Sequence, residues 1–170
     1  RKTLPTAPTL PAEQPPAPER IRSDDGALRV GIVWGGRAPN PNLARRSLPF
    51  PLIARLAEVP GVRLFGLQNG DAAADIGRQG FRGRIVDLDP ELADFVDTAA
   101  AISALDLVVT IDTSVAHLAA ALGKPTWVLL MHAADWRWLH GRADSPWYPS
   151  ARLFRQRAPG DWAGVLAEVE

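Results

Sequence analysis

Apolar residues along this chain fall into short, continuous, β-branched-rich runs that alternate with stretches of helical spacing. Six runs read as buried strands: Leu28–Trp34, Val62–Gln68, Arg84–Leu88, Leu107–Ile111, Thr126–Met131 and a short one at Leu153–Arg155. Between them, Leu48–Val59 has helical spacing, with Pro49 and Pro51 in its first turn, where proline is tolerated. Glu91–Leu105 is the clearest helix, with Leu92, Phe95, Val96, Ala99, Ile102 and Leu105 expected along one face. Val115–Leu122 and a closing Trp162–Val169 complete the set.

Continuous apolar strands alternating with helices predict a parallel sheet of about six strands covered on both faces. With right-handed crossovers this is an α/β, doubly wound, Rossmann-like fold. Residues 27–170 form that domain in this reading. Residues 1–26, with Pro5, Pro8, Pro11, Pro15, Pro16 and Pro18 and almost no apolar periodicity, read as a proline-rich linker or arm. Ligands in such folds bind outside the carboxyl ends of the strands. The interesting positions are therefore Trp34-Gly35-Gly36, Gln68-Asn69, Asp112-Thr113-Ser114 and Met131-His132.

The run 111–126, IDTSVAHLAAALGKPT, is the richest of these. A strand ends in Asp112-Thr113-Ser114, a helix follows at once, and His117 lies one turn in. Free amides and the positive end of the helix dipole suit a phosphate-bearing ligand. The plainer alternative is that the three polar residues only cap the helix. Gly123-Lys124-Pro125-Thr126 is no P-loop, because Pro125 interrupts the motif and it lies at a helix C-terminus. Gly123 reads as a left-handed C′ residue and Lys124 as structural. Gly35-Gly36 does not complete GxGxxG, and the second strand ends in Gln68 and not an acidic residue, which disfavours a nicotinamide dehydrogenase. Arg45-Arg46 precedes the first helix on the ligand side and offers guanidiniums for a diphosphate, or two solvated arginines. Three of the six tryptophans, Trp136, Trp138 and Trp147, lie in the long connection after the fifth strand, through ligand contact or packing.

Composition narrows the classes. The 19 basic and 19 acidic residues balance, which argues against nucleic acid as a bulk electrostatic partner. There is no cysteine, and three histidines lack metal-ligand spacing, so neither thiolate chemistry nor a metal site is expected. No apolar run approaches the length of a membrane helix and no signal region is seen, which makes the cytoplasm the expected location. The missing initiator methionine reads as a piece of a longer protein.

These motifs, in order, resemble a known family. IDTSVAHLAAALGKP, preceded by DFVDTAAAISALDLVV and followed by WVLL, DWRW and DSPWYPSARLFRQ, is similar to the C-terminal half of bacterial heptosyltransferase-like proteins, glycosyltransferase family 9. The versions fused to tetratricopeptide repeats look most alike. The resemblance covers nearly all of 28–169. It implies a GT-B architecture in which this chain binds the nucleoside-diphosphate-sugar donor and a separate N-terminal domain binds the acceptor. It places Asp112, Thr113, Ser114 and His117 around the diphosphate and sugar, Arg46 as the cationic contact, and Gln68 near the ribose or base. Asp97 and Thr98 line the same cleft, with Trp34 and Gly35 at the end of the first strand. His117 is also a candidate base, though its helix position suits donor contact better. Neither metal nor cofactor is implied, and the reaction is expected to invert the sugar. The family's first-strand loop runs closer to WxGNPxHxxDRxRS, whereas this chain has WGGRAPNPNLARRS, without the aspartate and histidine. Binding is thus a stronger expectation than catalysis. The alternatives are a degenerate, non-catalytic transferase domain kept for interaction, and an unrelated doubly wound nucleotide binder.

Overall fold

The computed structural model describes residues 15–22, 26–36 and 43–169. Among them, six strands form one all-parallel sheet: β1 (Leu28–Val33), β2 (Val62–Gly66), β3 (Ile85–Asp87), β4 (Leu107–Ile111), β5 (Thr126–Leu130) and β6 (Ala151–Arg155). Their order is β3-β2-β1-β4-β5-β6, the doubly wound arrangement. The order reverses between β1 and β4, which pair from Val30 with Leu107 to Val33 with Thr110. A crevice at the carboxyl ends of these two strands is where such folds bind ligands.

Helices cover both faces. The expected helix over 48–59 is shorter, α2 (Phe50–Ala54), and tightens into a 3-10 turn over Arg55–Glu58; a preceding turn is α1 (Leu43–Arg46). With α6 (Trp162–Ala167), α2 packs Phe50, Ile53, Val165 and Leu166 against Val30, Ile32, Val109 and Ile111. A short helix not anticipated from periodicity, α3 (Asp75–Arg78), adds Ile76 to that cluster. On the opposite face α4 (Phe95–Ser103) and α5 (Ser114–Ala121) bury Ile102, Val115 and Ala119 against Val33, Phe65 and Val108.

The helix expected from Glu91 begins later. Asp94 is its N-cap, accepting from the amides of Val96 and Asp97, and Glu91 belongs to a separate 3-10 turn. Phe95 and Val96 therefore sit on the first exposed turn, 61% and 50% accessible, not on the buried face. The cap outweighs the apolar pattern here because the chain direction at Asp94 decides where the first turn points.

Most of the proline-rich arm lies outside the described residues. Its described end forms a 3-10 turn, Glu19–Ile21, that docks on the domain upstream of Ala27, where the folded part was expected to start. Ile21 is fully buried beside Leu88 and Leu92, and Arg20 donates to the Asp87 carbonyl at 2.7 Å and pairs with Glu91 at 3.1 Å.

At the amino edge of the sheet, Asp106 accepts from the backbone and the guanidinium of Arg29, which holds its carboxyl below the usual range. The end of α5 follows the expected pattern. Gly123 takes φ of 72°, its amide bonds Ala120, and the Lys124 amide bonds Ala119, a Schellman closure. The Lys124 ammonium donates to the carbonyls of Ser103 and Leu105 at the end of α4, the structural role expected of it.

Candidate functional site

β4 is buried along its whole length, with Thr110 paired to the Ile111 carbonyl, and Asp112 and Thr113 follow at its carboxyl end as the chain turns into α5. The capping alternative is decided here. Thr113 has the extended N-cap conformation, yet its hydroxyl shares a 3.2 Å hydrogen bond with the Thr110 hydroxyl. The Asp112 carboxylate is taken by Arg46, and Ser114 is exposed. Among the described residues no side chain caps α5, whereas Asp94 caps α4 and Asp161 caps α6. The first turn of α5 thus presents a positive dipole end without an internal anion on its amides.

Arg46, from α1, crosses the switch point to this turn. Its Nη2 donates to the Asp112 carbonyl at 2.9 Å and to Oδ2 at 2.6 Å. One turn into α5, His117 places Nε2 4.0 Å from Asp112 Oδ1, while Nδ1 lies 3.1 Å from the Tyr148 hydroxyl. The ring stacks on Trp138 at 5.1 Å and 16°. Burial lowers the His117 pKa below its ordinary 6.5; Asp112 opposes the shift and Arg137 adds to it. The imidazole is therefore mostly neutral at pH 7. Asp135 and Arg137, paired at 2.9 Å on the loop after β5, complete the charged surroundings. Arg46, Asp112 and His117 thus form one cluster, with Thr113 and Ser114 on the same turn.

The other expected residues are engaged outside this cluster. Gln68 is buried, and its Oε1 accepts from the amides of Trp34 at 3.2 Å and Gly35 at 2.8 Å, tying the end of β1 to that of β2. A Cβ on Gly35 would lie 3.2 Å from the Ala72 Cβ, so the strand end passes close under that loop. The Trp34 ring is core, packed on Phe50 at 4.8 Å, with Nε1 donating to Asp75 at 3.3 Å. Asp97 accepts from the Ala93 amide at 3.2 Å and Thr98 donates to the Asp94 carbonyl at 2.8 Å, so both are engaged at the start of α4. No described contact joins Asp97 or Thr98 to the Arg46–Asp112–His117 cluster. Tyr148 and Trp138 escaped site assignment; the aromatic content of their loop was the available signal. Among the described residues no group of three or more His, Asp or Glu side chains is placed to hold a metal ion.

A sequence model described as glycosyltransferase family 9 (heptosyltransferase) matches residues 52–152, more than half of the chain. The chain belongs to glycosyltransferase family 9. The family match includes Gln68, Asp97, Thr98, the Asp112–His117 turn and Tyr148, while Trp34, Gly35 and Arg46 lie upstream of it. This family 9 chain is 33% identical over 148 residues to Protein FlbA of Caulobacter vibrioides, covering 83% of this chain and 24% of FlbA. Its fold is that of solved heptosyltransferases. E. coli ADP-heptose lps heptosyltransferase II matches with a TM-score of 0.62 at 18% identity, over 89% of this chain and 48% of that one. E. coli heptosyltransferase WaaC with ADP matches with a TM-score of 0.58 at 16% identity, over 87% and 46%. A family 9 glycosyltransferase from Veillonella parvula matches with a TM-score of 0.58 at 14% identity, over 89% and 40%. The chain therefore spans about a quarter of FlbA and less than half of each of these solved relatives.

Proposed function

We propose that this family 9 chain is the donor-binding half of a glycosyltransferase and takes a nucleoside-diphosphate sugar at the turn between β4 and α5. The observation that carries the reading is the uncapped start of α5 with Arg46 and His117 beside it. The diphosphate lies over the first amides of α5, where helix dipole and guanidinium neutralise it. In the transfer, an acceptor hydroxyl attacks the anomeric carbon, the bond from that carbon to the diphosphate oxygen breaks, and the nucleoside diphosphate leaves. The same groups stabilise the charge that grows on the leaving oxygen, without a metal. The proton of the acceptor goes to a base on the partnering domain, and the sugar is inverted. Gln68 shapes the rim by fixing Trp34 and Gly35, and Asp97 and Thr98 support the adjoining rim at α4.

An acceptor-binding domain and a tetratricopeptide-repeat region are the companions this reading expects, in a cytoplasmic protein of bacterial type. A structural neighbour was solved with ADP, which makes ADP-sugars the first donors to test. Calorimetry with ADP-, UDP- and GDP-sugars is expected to show binding that weakens in His117→Ala and Thr113→Ala. Absence of binding to all three overturns the reading. A second reading, a non-catalytic domain kept for interaction, is favoured by the first-strand loop, WGGRAPNPNLARRS, which lacks the aspartate and histidine of the family pattern. It predicts donor binding without transfer when the other half of the protein is present.

A further inference from the structure

The His117 ring is held from three directions. Tyr148 Oη lies 3.1 Å from Nδ1, the Trp138 indole stacks at 5.1 Å, and Asp112 Oδ1 lies 4.0 Å from Nε2. Asp112, paired with Arg46 at 2.6 Å, is a carboxylate, and a carboxylate only accepts. The ring nitrogen facing it is therefore best protonated. A ring kept neutral by burial has a single proton to place, and that proton goes to Nε2. Nδ1 is then a lone-pair acceptor, and the Tyr148 hydroxyl must donate to it. The carboxylate favours a proton on Nε2, and the phenol, which can donate or accept, completes that tautomer by donating to the bare Nδ1.

We infer that Tyr148 is a positioning residue, whose hydroxyl locks His117 in the Nε2–H tautomer and so directs an N–H donor to the Asp112-Thr113-Ser114 turn. The lock is built into the loop after β5. Trp138 is fully buried beneath the imidazole, and Arg155 Nη2 donates to the Trp138 and Leu139 carbonyls at 3.3 and 2.5 Å. Leu139 takes φ of 50°, a conformation L-residues rarely adopt, so the loop is held against its own preference. The charged groups facing the ring are Asp112 and Arg46 at the turn and Asp135 and Arg137 in the loop. That the directed N–H meets a ligand oxygen rests on the donor-site reading above.

Long-range nitrogen–proton NMR of the histidine-labelled chain at pH 7.5 tests this. Wild type is expected to show His117 with Nε2 protonated and Nδ1 bare. Tyr148→Phe is expected to gain a share of the Nδ1–H form and to weaken ADP binding about threefold to tenfold, the value of one hydrogen bond. A protonated Nδ1 in wild type, or an unchanged pattern in Tyr148→Phe, overturns the inference. Should Tyr148→Phe fail to fold, the wild-type Nδ1 nitrogen shift still decides: a bare Nδ1 shifted by a hydrogen-bond donor supports the lock, and a bare Nδ1 with the shift of an unbonded lone pair overturns it. A locked Nε2–H form in a chain that binds no nucleotide supports the lock and overturns the donor-site reading alone.

Discussion

Arg46 Nη2 donates at once to the backbone carbonyl and the carboxylate of Asp112, at 2.9 and 2.6 Å, and so joins the connection after β1 to the end of β4 across the switch point. A guanidinium can hold these two oxygens with one nitrogen and still turn its remaining N–H groups outward to an anion. A lysine at this position keeps the charge and loses the fork. Arg46→Lys is expected to weaken ADP binding about tenfold and Arg46→Ala further, by calorimetry. Arg46→Ala is also expected to lower stability by about 1–2 kcal/mol in urea unfolding, because Asp112 is then left only 12% exposed without its partner.

His117 makes stability depend on pH in a defined window. Its folded pKa lies below the ordinary 6.5, so on acidification the unfolded chain takes up the proton first. Folding stability is full above pH 6.5 and falls as the pH drops from there toward the folded pKa. Thermal unfolding from pH 7.5 to 5 is expected to show this loss, and His117→Gln is expected to flatten that part of the profile.

The sheet was legible because buried parallel strands leave continuous apolar runs, and all six strands lie where those runs predict. The turn at Asp112 was legible for the same reason, since polar residues directly after such a run must sit at the strand's carboxyl end. The start of α4 was misplaced because Asp94 caps it locally, and the apolar residues Phe95 and Val96 carry a periodic signal that burial does not follow. Tyr148 could not be paired with His117 from the sequence. They are 31 residues apart and meet only because the loop after β5 folds back over α5. Nor does composition reveal that Arg46, and not a helix amide, takes the Asp112 carboxylate. That is settled in three dimensions, by where α1 passes the end of β4.

Gln68 ties the end of β1 to the end of β2. Its single Oε1 serves two amides, those of Trp34 and Gly35, in a buried site. Gln68→Leu keeps the volume and orphans both donors. A loss of about 2–4 kcal/mol in denaturant unfolding is expected, at the usual cost of a buried unpaired amide.

Lys124 offers a control for the site. Its ammonium closes the end of α4 through the Ser103 and Leu105 carbonyls, at the edge of the sheet opposite the crevice. Lys124→Met is expected to cost about 1–2 kcal/mol of stability and to leave nucleotide affinity unchanged. Urea unfolding and calorimetry on the same sample check both halves.

The direct test of the donor site is a nitrogen–proton NMR titration of the chain with ADP. The largest amide shifts are expected on Thr113, Ser114, Val115 and His117, with the Arg46 side-chain resonances moving alongside them. An ADP-bound spectrum whose shifts lie elsewhere in the molecule, or spectra that ADP, UDP and GDP all leave unchanged at millimolar concentration, contradict the donor site.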